Sequence, residues 1–167
     1  MKILLRTFTA LAISVCSSTT MAEDKASNYY LGISTGTVVL ENSTKDPINA
    51  AVNIGYNFSE KWALEGQYTT SIRDGEYDSK KVNSVNGDFN YQIESLSAYG
   101  VFRSGGKVYV KGKAGLADDI NSEGKRLTWG AGIGYRASEN PATNIELEAT
   151  ALDSGATYYS LGVNFGF

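Results

Sequence analysis

The chain has 167 residues, of which 42% are hydrophobic, and its 18 acidic residues exceed its 15 basic ones. The resulting net charge of −3 argues against a nucleic-acid-binding protein. The length suits one domain, and 18 glycines with only 2 prolines suit a twisted antiparallel sheet. The chain contains no histidine and a single cysteine, Cys16.

The start of the chain has the features of a secretory signal peptide. Lys2 and Arg6 accompany a short apolar stretch, and residues 20–22 provide a plausible small-residue cleavage site. The apolar stretch is too short to cross a membrane as a helix, and an amphipathic surface helix is the alternative interpretation. We predict that residues 1–22 are removed and that residues 23–167 form the mature domain, in which 13 basic residues stand against 18 acidic ones, a net charge of −5.

Eight segments of the mature chain alternate between apolar and polar side chains, which is the period of a β-strand with one apolar face. They cover residues 28–39, 48–58, 62–72, 92–102, 107–116, 126–136, 144–152 and 157–167. In the fourth segment the set Leu96, Ala98 and Phe102 can exchange faces with Ser95, Ser97 and Tyr99, so the facing of that strand stays open. About ten residues per strand, tilted by about 40°, rise roughly 25 Å, the height of the apolar band of a membrane barrel.

The apolar faces are almost free of charge, since only Glu94 of the fourth segment shares one. A Lys or Arg facing lipid near the bilayer midplane would cost about 2–4 kcal/mol, and none is placed there. The polar faces carry three carboxylates and three cations, which we predict to form structural ion pairs inside a barrel. These six residues are Glu65, Lys111, Lys113, Arg136, Glu146 and Glu148.

The connections between the segments alternate in length, as expected for long external loops and short periplasmic turns. The predicted loops cover residues 41–47, 73–91, 117–125 and 153–156, and the predicted turns cover residues 59–61, 103–106 and 137–143. The last loop is short and the last turn is long, so the alternation is imperfect. Eight aromatic residues fall near the end with the turns, and they are predicted to form a girdle at the membrane interface: Tyr29, Tyr56, Phe58, Trp62, Phe102, Tyr135, Phe165 and Phe167.

The last segment places large apolar residues at every second position and stops on an aromatic one. These residues are Tyr159, Leu161, Val163, Phe165 and Phe167. Alternation alone does not distinguish a membrane barrel from a soluble one, because the two differ only in which face points outward. The signal peptide and the terminal aromatic residue favour the membrane barrel.

Three stretches carry a family resemblance: the strand at residues 108–116, the glycine-rich strand at residues 129–136 and the terminal Phe167. Together they resemble the small bacterial outer-membrane β-barrel family of the OmpA/OmpX type. The resemblance implies an eight-stranded antiparallel up-and-down transmembrane β-barrel in the outer membrane of a Gram-negative bacterium. It also implies that the barrel-assembly machinery reads Phe167 and the alternate apolar residues before it. The larger OmpA-like proteins carry a periplasmic peptidoglycan-binding domain after the barrel, which we expect this chain to lack.

The sequence provides little for catalysis. Barrel-shaped lipases, deacylases, palmitoyl transferases and omptin-like proteases rely on a histidine, which this chain lacks. Glu146 and Glu148 share a face, which would suit the paired carboxylates of a glycosidase, but interior ion pairing is the better interpretation. Acidic residues in 74–78 and 118–123 lack the glycine and distal glutamate of a calcium loop. We predict no catalytic residue, no cofactor, no metal site and no wide pore.

We therefore predict a non-enzymatic, monomeric outer-membrane barrel that contributes to envelope integrity or surface contact through its external loops. Its predicted partners are outer-membrane lipid, the assembly machinery and a possible surface ligand, and not nucleic acid. Two alternatives stay open. One is an adhesin or host-resistance factor, and the other is a secreted, soluble, lipocalin-like barrel that carries a ligand.

Overall fold

The computed structural model describes residues 28–40, 43–77, 89–120, 124–139, 142–153 and 156–167. The predicted signal peptide and Cys16 lie outside these residues. The strands are β1 (Tyr29–Leu40), β2 (Ser43–Lys45), β3 (Ile48–Asn57), β4 (Trp62–Arg73), β5 (Gly75–Tyr77), β6 (Phe89–Tyr91), β7 (Glu94–Arg103), β8 (Val108–Asp119), β9 (Lys125–Glu139), β10 (Ala142–Asp153) and β11 (Ala156–Gly166). No helix in these ranges is long and apolar enough to cross a membrane.

Eight of these strands form a closed barrel in the order β1-β11-β10-β9-β8-β7-β4-β3. Every pairing is antiparallel, and β1 closes the barrel by pairing with both β3 and β11. Each long strand therefore lies beside the next long strand in the chain, which confirms the predicted eight-stranded up-and-down barrel. Closure leaves no long strand with an unpaired edge, as a sheet surrounded by lipid requires.

The two ends of the barrel differ in their connections. The terminal end carries the start of β1, the end of β11 and the connections at residues 58–61, 104–107 and 140–141. In the second of these, Gly106 has a φ of 105°, a left-handed conformation that favours glycine. The other end, the loop end, carries residues 41–47, 74–93, 120–124 and 154–155.

Two predicted connections are too long. The strands β9 and β10 pair as far as Glu139 with Ala142, so the long turn predicted at residues 137–143 is wrong and only residues 140–141 separate the strands. A register shift between Thr143 and Asn144 accommodates the extra pairs. At the loop end, Asp118 pairs with Lys125, where opposite charges favour the cross-strand contact and shorten the loop predicted at 117–125.

Part of the predicted loop sequence forms a second sheet. The short strands β2, β5 and β6 pair antiparallel in that order, so the connection between β1 and β3 is joined to the connection between β4 and β7. The side chain of Ser71 adds to this link, because its hydroxyl donates to Asn49 Oδ1 at 2.8 Å and accepts from the backbone N–H of Ile93 at 2.8 Å. Two connections at the loop end are thereby held as one unit.

The barrel wall alternates between outward apolar and inward polar side chains. Ile54, Leu147 and Leu161 are each more than half exposed, while Lys111 and Glu146 are almost completely buried. The open facing of the fourth predicted strand is settled as well. In β7 Leu96 is exposed, whereas Ser97, Tyr99 and Val101 are buried. The core of the molecule is therefore the lumen of the barrel, and its interior is polar.

Aromatic side chains surround the terminal end on the outer surface. Trp62 packs against Phe102 with ring centroids 5.0 Å apart, and Tyr29 contacts both Tyr56 at 4.9 Å and Phe167 at 6.4 Å. Near the loop end, the outward Glu94 accepts a hydrogen bond from the Tyr68 hydroxyl at 2.7 Å. The one charge predicted on an apolar face thus has a phenolic partner at the margin of the apolar band.

Candidate functional site

Six charged side chains form a connected cluster inside the barrel, which we call the lumen network. It consists of Glu65 on β4, Arg103 on β7, Lys111 and Lys113 on β8, and Glu146 and Glu148 on β10. β4 and β10 lie on opposite sides of the barrel, with three strands between them in either direction. The network therefore crosses the lumen rather than lining one wall.

Lys111 is the centre of the lumen network. Its Nζ lies 2.7 Å from Glu146 Oε2, 2.7 Å from Glu148 Oε1 and 3.5 Å from Glu65 Oε2. The side chain is 2% exposed, so its charge is removed from water and depends on these three carboxylates. One ammonium group thus links both carboxylate-bearing walls of the barrel.

Lys113 forms the second lysine contact, with its Nζ 2.8 Å from Glu148 Oε2. The same ammonium lies 4.6 Å from the centroid of the Tyr99 ring and 3.4 Å from Gln67 Oε1. Glu148 therefore bridges the two lysines of β8. The contact with the ring adds a cation–π interaction in a position shielded from water.

Arg103 supplies the guanidinium group of the network, in the place predicted for Arg136. The Nε atom of Arg103 lies 2.9 Å from Glu146 Oε1, its Nη2 atom lies 3.7 Å from Glu65 Oε2, and its guanidinium covers the Tyr30 ring at 4.8 Å. Arg103 falls in the turn predicted at residues 103–106, whereas the structure makes it the last residue of β7. The alternation that continues from Tyr99 through Val101 was the signal that points it inward.

Arg136 occupies a different environment from the one predicted. It is half-buried, and its guanidinium carbon lies 5.8 Å from the centroid of the Tyr109 ring. Among the described residues, the ion pairs of Glu146 and Glu148 are made with Arg103, Lys111 and Lys113. Arg136 is thus beside the network, on its terminal side.

Neutral hydrogen-bond donors complete the carboxylate environment. Glu65 Oε2 accepts from the Tyr30 hydroxyl at 2.8 Å and from Asn53 Nδ2 at 3.2 Å. Asn53 Nδ2 also donates to Asn164 Oδ1 at 2.9 Å, and Asn164 Nδ2 donates to Glu146 Oε2 at 2.8 Å. These amides connect the two opposite carboxylates along the wall that lacks the cations, so the bonded groups form a ring across the lumen.

Glycines on β9 allow side chains of β8 and β10 to meet across the strand that separates them. The inward positions Gly130, Gly132 and Gly134 form the glycine row. Lys111, Gly132 and Glu148 lie in one line across three strands, and so do Tyr109, Gly134 and Glu146. The Tyr109 hydroxyl donates to Glu146 Oε1 at 2.6 Å directly over Gly134.

Any side chain in the glycine row would occupy the space that these contacts use. A Cβ atom added to Gly134 would overlap the Tyr109 ring, and one added to Gly132 would overlap the backbone oxygen of Leu147 and lie 2.9 Å from Glu148 Cγ. At Gly130 an added Cβ would lie 2.8 Å from the backbone oxygen of Ala149 and 3.2 Å from Lys113 Cε. The glycine-rich strand noted in the sequence therefore makes room for the lumen network.

The lumen network is neutral and leaves little open space. Its three carboxylates balance its three cations, and seven of the eight barrel strands contribute a polar side chain to it or to its neutral donors. The cavity that remains is lined by Ser34, Asn53, Gln67, Ser160 and network residues, and has room for about one water molecule. An apolar cluster of Tyr30, Ala63, Tyr99 and Val101 fills neighbouring space.

The remaining predicted residues are placed as follows. Tyr159, Leu161 and Phe165 of β11, and Phe167 after it, are 41–54% exposed on the outer surface, and Val163 lies between them, half-buried. The described residues contain no group of three acidic, cysteine or histidine side chains that could hold a metal ion. Asp78 and Glu123, weighed as calcium ligands, lie outside the described residues.

Solved structures with this architecture include several outer-membrane proteins of low sequence identity. Neisserial surface protein A, NspA, is 13% identical, with 86% of this chain and 100% of that chain covered and a TM-score of 0.57. The N-terminal β-barrel domain of Pseudomonas aeruginosa OprF is 22% identical, with 86% and 100% covered and a TM-score of 0.50. The outer membrane enzyme PagL is 10% identical, with 83% and 99% covered and a TM-score of 0.53.

These likenesses show the fold. No curated protein sequence matches the chain. The family model described as the outer membrane protein beta-barrel domain matches residues 8–167, which is nearly the whole chain. The chain therefore belongs to the outer membrane protein beta-barrel domain family.

Proposed function

We propose that this protein is a non-enzymatic, monomeric outer-membrane barrel that contributes to envelope integrity or surface contact through its external loops. The observation that carries the proposal is the contrast between its two surfaces. The outer wall presents apolar side chains to lipid, whereas the lumen holds a neutral network of buried charged side chains beside a cavity with room for about one water molecule.

The chemistry of the lumen supports a structural rather than a catalytic role. PagL has a similar fold and is an enzyme, so the fold alone does not decide the matter. The chain has no histidine, and each lumen carboxylate is paired with cations, while Glu65 and Glu146 also accept hydrogen bonds from neutral donors. A carboxylate in that environment is stabilised as an anion and poorly placed to transfer a proton.

The external loops are the proposed contact surface. The sheet formed by β2, β5 and β6 joins two of the loops, and an ordered platform costs less conformational entropy on binding than independent loops would. This observation also favours the second candidate, an adhesin or host-resistance factor. We further propose that Phe167 and the apolar residues of β11 are read by the assembly machinery, as the family resemblance implies.

Three measurements test the proposal. Purified protein in a planar bilayer should give no wide-pore conductance, and a large stable conductance would contradict a closed structural barrel. The folded protein should fractionate with outer membranes and migrate differently in unheated and heated detergent gels, whereas a lipocalin-like protein would appear in the soluble fraction.

Replacement of residues 78–88 by a short Gly-Ser linker separates the two surface roles. A structural barrel keeps its gel shift and its contribution to detergent resistance of the cells. An adhesin keeps the gel shift but loses adhesion of the cells to host surfaces. The matched control replaces residues 154–155, which connect β10 and β11 at the same end of the barrel.

A further inference from the structure

The strand β9 does not specify its own register against β8. Its central inward positions are the glycine row, with Thr128 before it and Arg136 after it, and its outward positions, Trp129, Ala131, Ile133 and Tyr135, are all apolar. A slip by one residue would exchange the two faces, but a slip by two would keep every side chain on its proper face. Something other than the alternation must therefore exclude the two-residue slips.

The lumen network excludes a slip in one direction. If Tyr109 moved over Gly132, then Lys111 would move over Gly130 and face Thr150. Lys113 would move over Thr128, away from Glu148, and Lys111 would keep only the diagonal contact to Glu148 that Lys113 makes now, so Glu146 would lose its lysine partner. Breaking buried ion pairs in this way leaves uncompensated charges and is strongly unfavourable.

The lumen network does not exclude the opposite slip. If Lys111 moved over Gly134, it would face Glu146, and Lys113 would move over Gly132 and face Glu148. Both lysine–carboxylate contacts already exist as diagonal ion pairs of 2.7 and 2.8 Å. Charge complementarity is therefore preserved, and this slip needs a steric barrier.

Tyr109 and Arg136 provide that barrier. In the observed register the Tyr109 ring occupies the space over Gly134, and Arg136, the next inward residue of β9, already lies 5.8 Å from the ring centroid. In the slipped register Tyr109 would lie over Arg136, where a long side chain fills the space. The glycine row ends at Gly134, so it accepts the ring in only one of these two positions.

We propose that Tyr109, seated over the last glycine of the row, is the residue that sets the register of the β9–β10 hairpin against β8. The hydroxyl bond to Glu146 strengthens the seated position, but the ring itself excludes the slip. The inference rests on register and sterics alone and does not depend on the proposed function.

Disulfide trapping tests the proposal in the mature chain, whose sequence after the predicted cleavage site has no cysteine. Gly112 and Ala131 are direct neighbours on the outer surface in the observed register. Ala114 and Ala131 would become direct neighbours only after the slip. Cysteine pairs at 112/131 and 114/131 therefore report the two registers, because directly opposed Cα atoms lie within disulfide range.

In the unaltered background the folded, heat-modifiable fraction should form the 112/131 disulfide and little of the 114/131 disulfide. Tyr109→Ala should raise the 114/131 disulfide several-fold, whereas Tyr109→Phe, which keeps the ring, should not. Tyr99→Ala, which removes another buried tyrosine from the lumen, is the size-matched control and should keep the observed register.

Arg136→Gly gives an independent test if Tyr109→Ala does not fold. It extends the glycine row by one position, so it should allow the slip with Tyr109 intact and raise the 114/131 disulfide. The proposal would be overturned if every folded variant among Tyr109→Ala and Arg136→Gly formed only the 112/131 disulfide and no 114/131 disulfide. An equal rise in Tyr99→Ala would also overturn it, since general loosening of the barrel would then be the cause.

Discussion

The lumen and the outer wall of this barrel use the same strands but obey opposite rules. On the outer wall, side chains such as Leu147 and Ile133 contact few protein atoms and are more than half exposed. In the lumen, Glu146 and Glu148, the sequence neighbours of Leu147, are packed among charged and polar partners at distances near 2.7 Å. One step along the chain therefore changes the environment from lipid to a network of ion pairs.

The comparison shows which interactions must be specific. The outer wall needs apolarity but little shape complementarity, because lipid chains adapt to the surface. The lumen needs each charge to meet its partner, because an unpaired charge removed from water is costly. We therefore expect substitutions in the lumen to depend strongly on position, and substitutions on the outer wall to depend mainly on polarity and depth.

The largest effect is expected for Lys111→Met. It leaves Glu65, Glu146 and Glu148 with an excess negative charge, so the free energy of unfolding should fall by about 3–5 kcal/mol. Urea-induced unfolding in lipid vesicles measures the change. Adding Glu148→Gln restores neutrality and should recover part of the loss. A single Lys111→Met variant within 0.5 kcal/mol of the unaltered protein, similar to the exposed control Lys107→Met, would contradict the role of the network.

The next effect tests the outer wall. Leu147→Arg places a charge on the lipid-facing surface near the middle of β10, and the free energy of unfolding should fall by about 2–4 kcal/mol. Ile120→Arg makes a similar change at the loop end of β8 and should cost about 0–1 kcal/mol. The same vesicle assay compares the two, and equal costs would argue that depth in the membrane is not what distinguishes the sites.

A pair of glycine substitutions compares the two faces directly. Gly134→Ala should lower the free energy of unfolding by about 1–3 kcal/mol, because the new methyl group overlaps the Tyr109 ring. Gly112→Ala adds the same methyl group on the outer wall, where no atom lies within 4 Å, and should be neutral or slightly stabilising. Equal destabilisation by both would show that the glycines act through the backbone alone.

The smallest effect concerns the aromatic residues of the terminal end. Trp62 and Phe102 have ring centroids 5.0 Å apart, and such a pair contributes about 0.5–1.5 kcal/mol beyond its buried area. A double-mutant cycle with Trp62→Ala and Phe102→Ala should recover a coupling energy in that range. A coupling near zero would mean that each ring interacts only with the surrounding lipid.

Much of the fold could be predicted from the sequence, because alternation states which face of each strand is apolar. The eight barrel strands, the outward Glu94 and five of the six interior charges follow from that period. Alternation does not show which inward residues lie at the same height along the barrel axis. The sequence therefore predicted Arg136 as the ion-pair partner of the interior carboxylates and missed Arg103. Gly105 and Gly106 lie in a real turn, and Arg103 is the last strand residue before it, so only the alternation that continues through Val101 indicates that Arg103 points inward.

The role of the glycine row could not be predicted from the sequence alone. Glycine at every second position of β9 indicates close packing. The side chains that pack there come from β8 and β10, and the register of the three strands decides which of them meet. The sheet of β2, β5 and β6 was missed for a similar reason, since three-residue strands carry too short a pattern to be recognised.

The central claim is that apolar side chains face lipid and the charged network fills the interior. The chain's two tryptophans, Trp62 and Trp129, both lie on the outer wall, so tryptophan fluorescence reports that surface alone. In vesicles whose acyl chains carry bromine, both single-tryptophan variants, Trp62→Phe and Trp129→Phe, should be strongly quenched, with little quenching by iodide in the water. Strong iodide quenching without bromine quenching, in a protein that stays folded and monodisperse without amphiphile, would contradict the claim.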